Sequence, residues 1–102
     1  MNLQHLRYFS AIARCGTLSR AARELHVAQP ALSATLAKIE EEVGVKLFDR
    51  VRGRLILNEK GKIFLEGALG ICEDYDRMLE KIGQLAHRES NELTIGILDM
   101  GF

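Results

Sequence analysis

Apolar residues recur at helical spacing in two short segments at the start of the chain. The first segment predicts a helix from about Asn2 to Arg14, with Gly16 as its C-terminal cap. The second predicts a shorter helix that begins at a cap formed by Thr17 or Ser19. The inner faces are formed by Leu3, Leu6, Phe9, Ile12 and Ala13, and by Leu18, Ala21, Ala22 and Leu25. The second face is rich in alanine, whose small side chain lets two helices cross closely.

A third helix is predicted from residue 29 up to Gly44, which stops it. Its apolar residues are four, three and four positions apart, so they fall in a stripe about 60° wide. They are Leu32, Leu36, Ile39 and Val43. The opposite face is polar or small, and the connection before the helix is tight around Val27 and Ala28. Two short helices joined in this way predict a helix-turn-helix, which usually places its second helix in the major groove of DNA.

The hydrophobic period changes in residues 45–57. Two β-like runs flank Arg52 and Gly53, a plausible tight turn, which predicts a two-stranded wing. Arg50, Arg52 and Arg54 lie near its tip, where they can contact phosphates or enter a minor groove. The alternative is a solvated edge hairpin that uses its charge to prevent aggregation.

A long fourth helix is predicted from a cap at Asn58 to roughly His87. Its apolar residues are spaced 4, 3, 4, 3, 4, 3, a coiled-coil seam formed by Phe64, Ala68, Ile71, Tyr75, Met78, Ile82 and Leu85. A second row widens this stripe on one side, formed by Leu65, Cys72, Leu79 and Ala86. A helix of about 30 residues reaches roughly 45 Å, longer than the small domain before it. A second copy of the chain is therefore the expected partner, and a core helix packed only within its own domain is the alternative.

Charge is distributed unevenly along the 102 residues, although the formal net charge is zero. Residues 1–57 carry nine Lys and Arg against five Asp and Glu, and residues 58–102 carry five against nine. A basic half joined to an acidic half predicts a nucleic-acid surface on the first half, and random scatter of charge is the alternative.

Several functional classes find no support in the sequence. There is no phosphate-cradling glycine loop, no metal-spaced cluster of His and Cys, and no nucleophile–base set, so neither an enzyme nor a cofactor or metal site is predicted. Cys15 and Cys72 lie among apolar neighbours and are expected to be free thiols. No apolar run approaches the roughly 18 residues of a membrane span, and the polar breaks in the N-terminal segment are unlike a signal peptide, so a cytoplasmic location is expected.

Together these patterns resemble the N-terminal part of the LysR-type transcriptional regulators. The resemblance covers about residues 1–97, and its central segment is far more specific than a bare helix-turn-helix. The matching segments are LQHLRYF at 3–9, GTLSRAA at 16–22, LHVAQPALS at 25–33, IEEEVG at 39–44, LFDR at 47–50 and LNEKG at 57–61.

The resemblance implies a mainly α fold, with a winged helix-turn-helix domain at 1–57 and a long linker or dimerisation helix at 58–88. Residues 92–98, ELTIGIL, predict one β-strand, so residues 89–102 are expected to begin an effector-binding domain that resembles periplasmic binding proteins. A cut piece of a longer protein and an edge strand borrowed from another chain are the two explanations for this lone strand. Double-stranded DNA is the implied partner, with a homodimer or, at full length, a tetramer. A small-molecule effector would act only through the absent domain.

Carried over by position, the resemblance implies DNA contacts for ten residues. Gln29, Pro30 and Ser33 would face base edges at the start of the third helix, where Gln can pair with adenine. The remaining members of the set are Thr17, Ser19 and Lys38 as phosphate contacts, Thr35 on the third helix, and the wing residues Arg50, Arg52 and Arg54. A capping pair without base contact is the alternative for Gln29 and Ser33.

The chain departs from the family pattern at four positions. Ala28 replaces a usual Ser or Thr, which removes an N-terminal cap, whereas Asn58 replaces a usual Thr and should cap equally well. Ala34 and Ala37 replace long polar or basic residues on the face opposite the core stripe. They remove polar contacts but leave methyl groups that can touch thymine. The leading hypothesis is a sequence-specific dimeric regulator, and the alternative is an architectural DNA-binding dimer with little sequence preference.

Overall fold

A computed structural model of the chain describes the backbone of residues 1–92 and the side chains of residues 1–88. The elements in order are α1 (Leu3–Cys15), α2 (Leu18–Leu25), α3 (Gln29–Val43), β1 (Phe48–Val51), β2 (Arg54–Leu57) and α4 (Glu59–Glu92). Residues 1–72 form one compact unit, which we call the head, and a second unit begins at Glu73. The mainly α winged helix-turn-helix with a long following helix is confirmed.

The first two helices begin and end at residues whose side chains or backbone suit those positions. Asn2 accepts a hydrogen bond from a first-turn amide of α1 at 2.9 Å, and Gly16 ends the helix at φ 82°. Thr17 caps α2, because its hydroxyl oxygen accepts from the Arg20 amide at 3.1 Å. Ser19, the other predicted cap, lies exposed in the first turn of α2. The sequence left these two open, and the geometry selects Thr17.

The core of the head lies between the three helices and the hairpin. Its largest fully buried side chains are Phe9, Ile12, Leu32, Ile39 and Leu47. The Phe9 ring lies 5.0 Å from the Phe48 ring and 4.6 Å from the Phe64 ring, measured between centroids. Burial of each side chain of this size stabilises the folded state by about 1.5–3 kcal/mol relative to leaving it exposed to solvent. The aromatic trio therefore joins α1, the wing and the start of α4 in one core.

One residue of the predicted inner faces of α1, α2 and α3 is exposed. Val43 was expected on the inner stripe of α3, but 41% of it is exposed. It is the last residue of the helix, and Gly44 turns the chain away at φ 92° immediately after it. Helical periodicity places Val43 on the inner face of α3. The helix ends there, however, and this end of the face is not covered by a neighbouring element. The prediction of burial at this position was wrong.

The wing forms with the predicted turn. β1 and β2 pair antiparallel, with Val51 opposite Arg54 and Arg50 opposite Leu55. The connecting residues Arg52 and Gly53 both have positive φ, at 53° and 78°. Two consecutive positive φ angles define the type I′ turn, whose twist matches that of the flanking strands.

The start of α4 packs closely against residues 46 and 47, which precede β1. Asn58 caps the helix by accepting from the Gly61 amide at 2.8 Å, as predicted, and its side-chain amide donates to the Lys46 carbonyl at 2.9 Å. Gly61 allows this approach, because a Cβ there would lie 2.0 Å from the carbonyl oxygen of Leu47. The end of α4 differs from the prediction, since the helix continues to Glu92, which was expected to open a strand. Residues 93–98 of that strand lie outside the described part of the chain.

Candidate nucleic-acid interface

The N-terminal half of α3 presents a continuous exposed face. Leu32, Leu36 and Ile39 are buried on one side of the helix. The exposed residues are Gln29, Pro30, Ala31, Ser33, Ala34, Ala37 and Lys38. This face combines an amide, a hydroxyl, an ammonium group and several methyl groups, which is the chemistry that can contact base edges and thymine methyls.

The first turn of α3 leaves its N-terminal end open to a ligand. Ala28 occupies the cap position in an extended conformation and makes no side-chain capping hydrogen bond, as the sequence predicted. Pro30 lies in the first turn, where a missing N–H is tolerated. The positive end of the helix dipole at this terminus favours a negatively charged group nearby.

The connection between α2 and α3 depends on a residue that sequence reasoning missed. His26 adopts the left-handed conformation at φ 59°, and its amide donates to the Arg23 carbonyl at 3.3 Å. The Val27 amide donates to the Ala22 carbonyl at 3.0 Å, which completes a Schellman-type helix end. Glycine or asparagine usually occupies this position, so no residue type in the sequence signalled it.

Two of the predicted contact residues use their hydroxyls within the head. Thr35 is half-buried, and its hydroxyl donates to the Ala31 carbonyl at 3.0 Å in the preceding turn. Thr17 is engaged as the cap of α2. Gln29, Ser33 and Lys38 lie exposed on α3, and Ser19 lies exposed on α2. The predicted set thus divides into exposed side chains and side chains that hold the scaffold.

The three wing arginines do not share one environment. Arg52 lies in the turn at the tip, and the strand register places Arg50 and Arg54 on opposite faces of the hairpin. The guanidinium of Arg54 lies against Gly16, where an added Cβ would be 2.6 Å from Nη2. Gly16 ends α1, and the negative end of a helix dipole favours a cation there. Arg54 therefore contacts the end of α1, whereas Arg52 lies at the tip of the wing.

A second arginine contact connects the first two helices. Arg14 of α1 and Glu24 of α2 form a bidentate pair, with Nη1 donating to Oε1 at 2.8 Å. The hydrogen bond from Arg14 lowers the pKa of Glu24, and the same contact raises the pKa of Arg14. The Cys15 thiol also donates to Glu24 Oε1, at 3.6 Å. No local pattern in the sequence signals this pair, because ten positions separate its members.

A carboxylate that sequence reasoning missed orders the turn before the wing. Glu40 Oε2 accepts from the Leu47 amide at 2.7 Å, and its other oxygen lies 3.7 Å from Lys46 Nζ. No local pattern in the sequence signals this role, because the contact joins α3 to the segment before the wing.

The seam predicted along α4 divides into two groups. The Phe64 ring meets the Phe9 ring edge to face and Ala68 is 3% exposed, so both are packed within the chain. The heptad pattern did not separate these two from the rest. The exposed members are Ile71, Tyr75, Met78, Ile82 and Leu85, accompanied by Leu79.

The described residues were also compared with the patterns of metal sites and membrane-spanning helices. Residues 1–88 hold no group of three or more His, Cys, Asp or Glu side chains arranged to bind a metal ion. Within the described helices, none is both long enough and apolar enough to cross a membrane. Cys15 and Cys72 are free thiols.

Comparison with known proteins finds one family. A family model described as "Bacterial regulatory helix-turn-helix protein, lysR family" matches residues 3–62. The HTH-type transcriptional regulator AdmX of Serratia plymuthica is 39% identical over 98 residues, which cover 96% of this chain and 32% of that protein. The HTH-type transcriptional regulator BudR of Klebsiella aerogenes is 42% identical over 97 residues, which cover 95% of this chain and 68% of that protein. The chain therefore spans about a third of the length of AdmX.

The solved structures include similar domains bound to DNA. The crystal structure of the complex of BenM_DBD with benA site 1 DNA matches with a TM-score of 0.79 and 32% identity, covering 83% of this chain and 99% of that one. The match confirms the winged helix-turn-helix fold and the long helix after it.

Proposed function

The chain belongs to the LysR family of bacterial helix-turn-helix regulators, and from this premise we propose that it is a dimeric, sequence-specific transcription regulator that binds double-stranded DNA. The observation that carries the proposal is the exposed N-terminal half of α3 above a buried Leu32–Leu36–Ile39 stripe. A helix anchored on one face and open on the other is what major-groove readout requires. The DNA in the similar complex supports the same partner here.

Base readout falls to the start of α3 in this proposal. Gln29 and Ser33 are exposed side chains with donors and acceptors in the first turns of the helix. Gln can bond the N6 and N7 atoms of adenine together, and Ser can contact either kind of base pair. Ala34 and Ala37 add methyl groups to the same face, which favours thymine nearby.

Phosphate contacts position the head on the duplex. The candidates are Arg50 and Arg52 of the wing, Ser19 of α2 and Lys38 of α3, all exposed. Such contacts set register and affinity, but they carry no sequence information directly. Arg54, Thr17 and Thr35 act mainly as scaffold residues, because their side chains are already engaged in the head.

Dimerisation falls to the exposed part of the α4 seam. Five apolar side chains there are at least 40% exposed, from Ile71 to Leu85. A second copy covers them, and a two-fold dimer matches an inverted-repeat DNA site. We propose a regulatory rather than an enzymatic role and a cytoplasmic location, in keeping with the regulators it resembles. An effector would bind a C-terminal domain outside the described residues, in a dimer or tetramer of the full-length protein.

The test is selection of bound sequences from a random duplex pool, followed by titration of the selected and scrambled duplexes at one fixed salt concentration. We expect an inverted repeat to be enriched and to bind at least about 10³-fold more tightly than its scrambled version. Equal affinity for the two duplexes would replace sequence-specific regulation by architectural binding. Absence of binding to any duplex would overturn the proposal altogether.

A further inference from the structure

A groove on the head lies between the first turn of α1 and the exposed side of α3. Its lining combines one aromatic side chain of α1 with methyl, hydroxyl and charged groups of α3, namely His5, Ala34, Thr35, Ala37, Lys38 and Glu41. The two alanines end at their methyl groups, so no long side chain fills the groove at these positions. The groove therefore extends the exposed face of α3 as far as α1.

The imidazole ring of His5 carries an unsatisfied polar atom. Its Nδ1 is buried without a hydrogen-bond partner, and no other buried side-chain nitrogen or oxygen in the described part of the chain shares this state. The backbone amide of His5 donates to Asn2 Oδ1 at 2.9 Å, which holds the residue in the first turn of α1. A buried nitrogen without a partner is unfavourable for folding, so packing alone does not favour a histidine at this position.

Burial of Nδ1 also determines which atom of the His5 ring can bind a ligand. Enclosed N–H groups without an acceptor are rarer in proteins than enclosed acceptors without a donor, so the neutral ring favours its proton on Nε2. Because His5 lines the groove and its Nδ1 is enclosed, Nε2 is the nitrogen that can bond to a group placed there. His5 therefore offers the groove an N–H donor.

The charges around the groove favour an anion near Lys38. Lys38 is exposed and makes no ion pair with any other residue that the structure describes. The amino group of Met1 is already bonded to Glu42 at 2.9 Å. Glu41 is the one acidic residue in the lining, and it disfavours an anion near its own carboxylate. The dipole of α1 adds positive potential at its first turn, where His5 lies. An N–H donor and an unpaired ammonium group from two different helices thus line one groove.

The position of the groove on α3 indicates which part of the DNA it meets. Rotation by about 100° per residue places Lys38 about 90° around the helix from the centre of the face formed by Pro30, Ser33, Ala34 and Ala37. When that face lies in the major groove, the flank of the helix is directed toward the wall of the groove, where the sugar–phosphate backbone runs. A phosphate, rather than a base edge, is therefore the group within reach.

We propose that His5 and Lys38 together hold one backbone phosphate of the DNA, with Nε2 of His5 and Nζ of Lys38 as the donors. The proposal rests on DNA binding by α3 in the proposed function, and it adds a residue of α1 to the interface. A phosphate bonded to both donors connects α1 and α3 to the same DNA strand, and this contact fixes the angle at which α3 enters the major groove.

The test combines side-chain variants of the whole chain with neutral phosphates in the duplex. Single methylphosphonate groups, which lack the negative charge, are placed one position at a time along the duplex enriched from the random pool. The wild type should lose about tenfold in affinity at the phosphate that both donors hold. His5→Phe and Lys38→Ala should each reduce the penalty at that same position, and the double variant should remove it. Arg52→Ala should reduce the penalty at a different position.

His5→Phe also separates a binding role from a structural one. Phenylalanine keeps an aromatic ring but removes the unpaired Nδ1 and the Nε2 donor, so the unfolding midpoint should be no lower than that of the wild type. Affinity for every duplex should nevertheless fall by at least about tenfold. His5→Gln keeps an N–H donor on a side chain of similar reach and should bind more tightly than His5→Phe. His87→Gln, at an exposed histidine of the unit after Glu73, is the matched control and should leave affinity unchanged.

The outcomes separate this proposal from the proposed function. A wild type that binds no duplex would overturn the proposed function. A wild type that binds its selected duplex no more tightly than His5→Phe does would leave that function standing and overturn the role of His5. Penalties that His5→Phe and Lys38→Ala reduce at different phosphates would show that the two donors do not share one.

Two further results would also contradict the phosphate contact. A relaxed base preference in His5→Phe, with every phosphate penalty unchanged, would mean that the groove holds a base edge. An unfolding midpoint of His5→Phe far below that of the wild type would mean that the imidazole stabilises the head. His5→Ala repeats the binding measurement with a smaller side chain, and circular dichroism of each variant confirms that the head is folded.

Discussion

The head and the part of α4 after Glu73 use apolar residues in opposite ways. In the head, the Phe9 ring packs against both Phe48 and Phe64, within a core of buried side chains from the same chain. Along that part of α4, from Tyr75 to Leu85, side chains of similar size remain exposed to solvent in the single chain. The same helical periodicity produced both stripes. Periodicity therefore predicts which face of a helix is covered, but not whether its cover comes from the same chain.

The largest expected effect follows directly from this contrast. Phe9→Ala should lower the free energy of unfolding by about 3–5 kcal/mol, because it removes the ring that both other phenylalanines contact. The matched change on the exposed row, Ile82→Ala, should alter the stability of the monomer by less than about 0.5 kcal/mol. Urea denaturation at several protein concentrations separates the free energy of unfolding of the monomer from the free energy of association, because only association depends on concentration. Similar losses for both variants in the monomer would contradict the comparison.

A second pair of changes compares a packed and an open position on α4. Gly61→Ala should destabilise the chain by about 2–4 kcal/mol, since the new methyl group would collide with the Leu47 carbonyl. Gly67→Ala has open space at the same helix and should stabilise it by up to about 1 kcal/mol. Thermal unfolding followed by circular dichroism measures both. A Gly61→Ala chain as stable as Gly67→Ala would show that the helix start can shift without penalty.

In the proposed function, base readout falls to the head. Gln29→Ala should cost about 1–3 kcal/mol on the preferred duplex and relax specificity at one base position. Glu41→Ala, an exposed change near the other end of α3, should leave base preference unchanged. Repeating the random-duplex selection with each variant measures this. A selected sequence identical for Gln29→Ala and the wild type would remove Gln29 from readout.

The wing offers a smaller and more selective effect. Arg52→Ala should weaken binding to all duplexes alike and reduce the slope of log affinity against log salt by about 1. Arg54→Ala should change that slope less, because its guanidinium lies against Gly16. Titrations at four salt concentrations give both slopes. Equal slope changes would mean that Arg54 leaves Gly16 to bind a phosphate.

The smallest expected effect concerns pH. The pKa of Glu24 lies below its ordinary value of 4.5, mainly because Arg14 donates hydrogen bonds to the carboxylate. The ionised form is thus favoured by folding, and its contribution is present above that value and lost as the pH falls through the folded-state pKa. Glu24→Gln should therefore shift the unfolding midpoint slightly at pH 7, and the shift should diminish as the pH is lowered through the folded-state pKa of Glu24. The side chains of the pair are 61% and 45% exposed, so a large shift at pH 7 would contradict this account.

The sequence predicted elements better than it predicted contacts across the fold. The caps at Gly16 and Asn58, the turn at Arg52 and Gly53, and the exposed start of α3 all follow from local chemistry, whereas the choice between Thr17 and Ser19 needed the structure. The contacts of Arg54 with Gly16 and of Glu40 with Leu47 depend on how separate elements meet, which no local pattern reports. Val43 and Phe64 differ from expectation for a related reason. A periodic stripe does not reveal where a neighbouring element begins or ends.

The Leu55 amide donates to the Gly16 carbonyl at 2.8 Å, so β2 is bonded to β1 on one edge and to the helix junction on the other. The backbone of the wing next to Arg52 is therefore ordered in the free protein, before any ligand binds. A flexible loop loses conformational entropy when it binds a ligand. The wing has already lost this entropy during folding, so binding costs it less. In a hydrogen-exchange experiment, the amide proton of Leu55 should then exchange only through unfolding of the whole head.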